Sequence, residues 1–118
     1  TSSARTPVLP SQAECSALKN LFNAGRFVEV ENAASSLLGK YKESGFLWNL
    51  LGASLQEQGK DGFAALREAA RLLPNDAMVL NNLGGILRDR GERKEAVAYY
   101  KKVLQLNPRF AGAYYNLG

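Results

Sequence analysis

The sequence predicts an all-α chain of stacked antiparallel helix pairs, and three observations carry that expectation. Apolar residues recur at three- and four-residue spacing, as in Leu80, Leu83 and Leu87 and then Ala96, Tyr99, Tyr100, Val103 and Leu104. That spacing lines one face of a helix. A phrase also repeats. Leu80-Asn81-Asn82-Leu83-Gly84 returns 34 positions later as Tyr114-Tyr115-Asn116-Leu117-Gly118, and Trp48-Asn49-Leu50-Leu51-Gly52 precedes it by 32. Finally, Gly25, Gly59 and Gly91 keep the same beat, 34 and 32 residues apart. A period of this length marks a solenoid of helical pairs, and no alternating strand pattern competes with it.

The elements follow in order. Residues 1–10, with two prolines and two serines, read as a flexible lead-in. Ser11-Gln12-Ala13-Glu14 is a capping box that starts the first helix. The expected helices span 11–23, 27–41, 45–58, 62–73, 77–90, 93–106 and 109–118. They group into units of about 11–44, 45–76 and 77–110, with the first helix of a fourth unit at 111–118. Gly59 to Pro74 is 15 steps, against 17 from Gly91 to Pro108. The second unit is therefore two residues short, and the loss is expected after the Gly59 turn. Gly52 and Gly84 fall inside helices, where glycine costs about 0.5–1 kcal/mol relative to alanine. A closely approaching partner helix explains them, with the small Ala96 expected opposite Gly84.

Composition narrows the function. The 118 residues include no histidine, which removes the commonest general base and metal ligand. The one cysteine, Cys15, cannot form an internal disulfide and fits a reducing compartment, so a cytoplasmic location is expected. Ser16-Ala17-Leu18-Lys19 has Ser-x-x-Lys spacing, but the partner motifs Ser-Asp-Asn and Lys-Thr-Gly do not occur. No phosphate-cradling glycine loop and no Cys/His metal pattern occurs either, so no catalysis, metal or cofactor is expected. No run of 18 apolar residues is present, so no membrane span is expected. The net charge of +4 lies entirely within residues 60–118, which carry ten basic and six acidic side chains. Arg88, Arg90, Arg93 and Lys94 cluster there, but Asp89, Glu92 and Glu95 interrupt them, and no nucleic-acid partner is expected. Glu29 and Glu31 diverge on their helix and are expected to be solvated.

The third unit reads Leu80-x2-Leu83-Gly84-x2-Leu87, then Gly91, Ala96-x3-Tyr100 and Pro108. This resembles the tetratricopeptide repeat, as does Trp48-x2-Leu51-Gly52-x2-Leu55 in the second unit. The resemblance covers residues 11–118. The first unit departs from it, with Lys42 where the closing proline belongs and Leu18 in place of the glycine. The resemblance implies an α-α superhelix whose concave side is lined by the first helix of each unit, and a protein or peptide partner held there.

The family's inward positions fall on Cys15, Ser16 and Lys19, then Phe46, Asn49, Leu50, Ala53 and Gln56. In the third unit they fall on Met78, Asn81, Asn82, Gly85, Arg88 and Asp89, and in the fourth on Gly112, Tyr115 and Asn116. Asn49, Asn82, Arg88, Tyr115 and Asn116 are the expected peptide-binding residues. An asparagine amide pairs with both N–H and C=O of an extended peptide. The placement of Asn82 and Asn116 just before Leu-Gly resembles the asparagine ladder of O-linked N-acetylglucosamine transferases and their bacterial, SPINDLY-like relatives. Leu50 and Ser16 occupy the other two rungs. A clamp for a C-terminal carboxylate would draw on Cys15, Lys19, Leu50, Met78 and Asn82, and with a single cation it is incomplete.

Two further expectations concern the ends. The only methionine is Met78, and the last residues lie inside an expected helix, so a longer parent chain is expected. The alternative function is then the N-terminal substrate-recruiting or oligomerisation segment of a glycosyltransferase or sulfotransferase. Tyr114, Tyr115 and Leu117 would lie on a helix without its partner, and self-association through residues 109–118 is expected, as a homodimer through that C-terminal helix or as end-to-end stacking.

Overall fold

The computed structural model describes residues 8–110. Its six helices are α1 (Gln12–Asn23), α2 (Phe27–Leu38), α3 (Gly45–Glu57), α4 (Phe63–Leu72), α5 (Ala77–Asp89) and α6 (Arg93–Leu106). The class is all-α, and the helices pair as α1/α2, α3/α4 and α5/α6, each pair packed on the next. Helix α2 stops at Gly39, short of the expected 41. Tyr41 lies beyond it, 6% exposed, in the core that the first pair shares with α3. The expected seventh helix does not start at 109, since Arg109 sits in a turn and Phe110 outside any helix, and its remainder lies outside the described residues.

The odd-numbered helices begin on side-chain caps. Ser11, Ser44 and Asp76 each accept the backbone N–H three residues on, satisfying a donor the helix itself leaves open. Ser11 and Glu14 form the reciprocal capping box. Each pair then turns on one device. Gly25, Gly59 and Gly91 have φ of 76°, 75° and 82°, a region that suits glycine. At each, the glycine N–H bonds the carbonyl three back, and the next N–H bonds the carbonyl five back. The sequence beat is thus a backbone conformation repeated three times.

The second unit divides its two-residue deficit unequally between turn and helix. Its turn, residues 58–62, is two residues longer than the three-residue turn at 90–92, while α4 has 10 residues against 14 in α6. The deficit therefore lies in the helix, and the turn has grown. Two contacts hold the longer turn. Gln56 Oε1 accepts the Gly62 N–H at 2.9 Å, and Asp61 Oδ1 accepts that of Phe63 at 3.0 Å. Gln58 and Lys60 reach back to the Glu31 carboxylate on α2, at 2.9 and 3.1 Å. Glu31 is half-buried by these partners and not simply solvated.

Two clusters form the core. Leu18, Val30, Leu38, Tyr41, Leu47 and Leu50 join the first pair to α3. Leu66, Leu80, Leu83, Leu87, Ala96 and Tyr100 are the heart of the other, which joins α4 to the third pair. A methyl group added at Gly84 would lie 2.8 Å from the Tyr100 ring, so the group opposite Gly84 is Tyr100, while Ala96 packs in the same cluster. Between α3 and α4 the approach is tighter. A methyl at Gly52 would meet Leu66 at 2.5 Å, and one at Gly62 would meet the Gly52 carbonyl oxygen at 2.3 Å.

Three outcomes follow from this packing. Gly62→Ala forces backbone against backbone, and urea unfolding is expected to show a loss of about 1–3 kcal/mol. The Tyr100 hydroxyl is buried with no hydrogen-bond partner among the described residues, and desolvation raises its pKa. A buried unpaired hydroxyl destabilises. Tyr100→Phe is therefore expected to gain about 1 kcal/mol in the same measurement, and a comparable loss would show that the hydroxyl finds a partner.

The third outcome concerns pH. Glu14 is held below the ordinary carboxylate value of 4.5 by the Ser11 N–H and then the Tyr41 hydroxyl, and Glu31 by Gln58 and then Lys60. A lowered folded pKa stabilises above the ordinary value, and that stabilisation is lost as pH falls through the folded one. With no histidine to titrate, the melting temperature is expected to be flat between about pH 6 and 8 and to fall below about pH 4.5. Glu31→Gln should flatten that acid limb. An acid limb as steep in the variant as in the parent would remove Glu31 from this account.

Candidate functional site

Helices α1, α3 and α5 border a groove of about 700 Å³. Cβ direction sets which residues reach it, since positions three and four apart on a helix share a face. Lys19 comes from α1, Phe46, Asn49 and Ala53 from α3, and Met78 and Asn82 from α5. Apolar floor and amide groups alternate there. Lys19 Nζ sits 5.7 Å from the centroid of the Phe46 ring, and Met78 is 54% exposed at the start of α5.

The central polar feature is a bond between units. Asn82 Nδ2 on α5 donates to Asn49 Oδ1 on α3 at 3.0 Å, both residues half-buried. The bond uses one of Asn82's two N–H donors and one lone pair of Asn49. The Asn82 carbonyl and the Asn49 amino group are left as acceptor and donor. Such a pair matches the two backbone groups of an extended peptide.

The other expected residues fall differently. Arg88 is exposed on the last turn of α5 and bonds Asp89 at 3.4 Å, and it does not line the groove, although Asp89 does. Cys15 and Ser16 are also absent from the lining. Tyr115 and Asn116, and the self-association residues Tyr114 and Leu117, lie outside the described residues.

Two aromatic-and-amide contributors were missed from sequence, Phe22 and Asn23 on α1. They lie 34 residues before Gln56 and Glu57, which also line the groove. For Phe22 the signal was present in the expected inward Gln56, whereas Asn23 and its counterpart Glu57 were both missed. Among the described residues, no helix is long and apolar enough to cross a membrane.

Comparison with known proteins places this geometry. Residues 84–118 match the family model described as TPR repeat. A Petunia hybrida protein described as a probable UDP-N-acetylglucosamine--peptide N-acetylglucosaminyltransferase, SPINDLY, is 30% identical over 97 residues, 79% of this chain and 10% of that one. A human protein O-mannosyl-transferase is 42% identical over 52 residues, 44% of this chain and 6% of its own. A Candida albicans peroxisomal targeting signal receptor is 44% identical over 52 residues, 44% of this chain and 9% of its own. Among solved structures, a Thermobaculum terrenum O-GlcNAc transferase variant superposes with a TM-score of 0.74 at 26% identity, covering 92% of this chain and 23% of that one. The chain thus spans a tenth or less of these curated relatives, and about a quarter of the solved one.

Proposed function

We propose that this chain, an array of tetratricopeptide repeats, is a protein-interaction scaffold that holds an extended peptide segment in the groove between α1, α3 and α5. The observation that carries this reading is the Asn82–Asn49 bond. It fixes two amides side by side in the groove, with an acceptor and a donor left for a ligand. Amides that read peptide backbone accept many sequences, and the half-buried Phe46, packed on the buried Leu50, adds apolar contact without a strict sequence demand. Repeats of this family are generally protein-interaction modules. A peptide display selection against this chain supplies ligands for the test. Asn49→Ala with Asn82→Ala is expected to weaken them by about 1–3 kcal/mol in total, read by isothermal titration. Adding Asn116→Ala extends the same test to the fourth unit. Ligands that bind the double variant as tightly as the parent would remove the groove assignment.

The second reading makes the array a substrate-recruiting segment of a larger transferase. It is favoured by the Petunia and Thermobaculum likenesses, both to glycosyl-transferring enzymes, and by the share of those chains that this one spans. Reading the gene beyond Gly118 tests it. A catalytic domain there supports it, and an open frame of further repeats alone sinks it.

A further inference from the structure

A second feature of units two and three shares no residue with the groove. Phe63 opens α4, and two guanidinium groups lie over its ring. Arg90, from the turn after α5, sits 4.3 Å from the ring centroid, and Arg67, one turn along α4, sits 5.5 Å from it. Stacking fixes a guanidinium in place while its N–H donors remain at the edge of the plane. Phe63, Ala64, Arg67, Glu68 and Arg71 line a shallow depression of about 470 Å³ at this point.

The charges around it do not cancel. Glu68 forks onto Arg71, and Asp61 comes within 3.7 Å of Arg90. Arg67 has no carboxylate partner among the described residues. We propose that this cradle docks an acidic segment of a partner protein, with a carboxylate on Arg67 and an apolar or aromatic side chain in the depression beside Phe63. Charge complementarity selects the sign of the partner. A bidentate fork suits a carboxylate, and the aromatic platform suits a neighbouring side chain. Asp61 and Glu68 break the basic surface into separate points, which suits spaced side chains and opposes a continuous phosphodiester backbone.

The test is a fluorescence-anisotropy titration with a labelled peptide in which Glu and Asp flank one Trp. Wild type is expected to bind it and to ignore the matching Lys-flanked peptide. Arg67→Ala should weaken the acidic peptide at least about fivefold, with Arg67→Lys between the two, because lysine keeps the charge and loses the fork. Raising salt from about 50 to about 300 mM should weaken it further. Asn82→Ala should leave it unchanged, which separates this surface from the groove. No binding by wild type, equal binding by an Arg67→Ala variant with a native circular dichroism spectrum, or tighter Arg67-dependent binding of duplex DNA would overturn the proposal.

Discussion

Close approach of helices at glycine is the constraint on which the rest of this structure depends. At Gly84 the Tyr100 ring occupies the space a methyl group would need, and at Gly52 that space is taken by Leu66. These contacts set how near the outer helix of a pair lies to the inner one. That distance decides how much of the inner helix is buried, and so which of its residues remain to face the groove. In α5, Leu80, Leu83, Ile86 and Leu87 are buried in the pair, while Asn81, Asn82 and Gly85 are left half-exposed on the other side. The groove is the remainder of the packing.

Stacking of pairs adds a second layer of order, and it is polar as well as apolar. Within the first unit, Tyr41, past the end of α2, donates to the Glu14 carboxylate at 3.0 Å and ties the end of the unit to its start. The enlarged turn after α3 reaches back to Glu31 through Gln58 and Lys60, and Asn82 reaches back to Asn49. Apolar burial is non-directional and would tolerate sliding of one pair over the next. Hydrogen bonds between named groups on neighbouring elements penalise such sliding. The short α4 fits this account, since the residues it lacks are partly returned to a turn that makes inter-unit contacts.

Much of the architecture was legible in the sequence because its signals are local. Turn glycines need a positive φ, caps need a short polar side chain, and helix faces need apolar spacing, so each element announces itself within a few residues. The site was less legible. Phe22 carries no local signal and becomes visible only through alignment with Gln56, and Asn23 aligns with Glu57, which the spacing also left out. The Tyr100–Gly84 contact and the Arg90–Phe63 stack join residues 16 and 27 positions apart, and the spacing of a single helix does not report such pairs. Arg88 was misplaced for a related reason. Its equivalence to Gln56 is sound, yet on the last turn of α5 it bonds Asp89 and is not among the residues lining the groove.

The asparagines show why equivalence alone is a poor guide to a repeat protein's ligand. Counting positions in register with Asn82 gives Leu50 in the second unit, which is 8% exposed in the core and offers no polar group. Asn49, one residue earlier and in register with Asn81, is the residue that meets Asn82. Neighbouring pairs are offset as they stack, so contact across the groove joins non-equivalent positions. A row of amides can therefore continue across units whose sequences interrupt it at the strictly repeating site. The groove is read by which side chains the stagger brings together, and identical repeats would produce a different surface from the same fold.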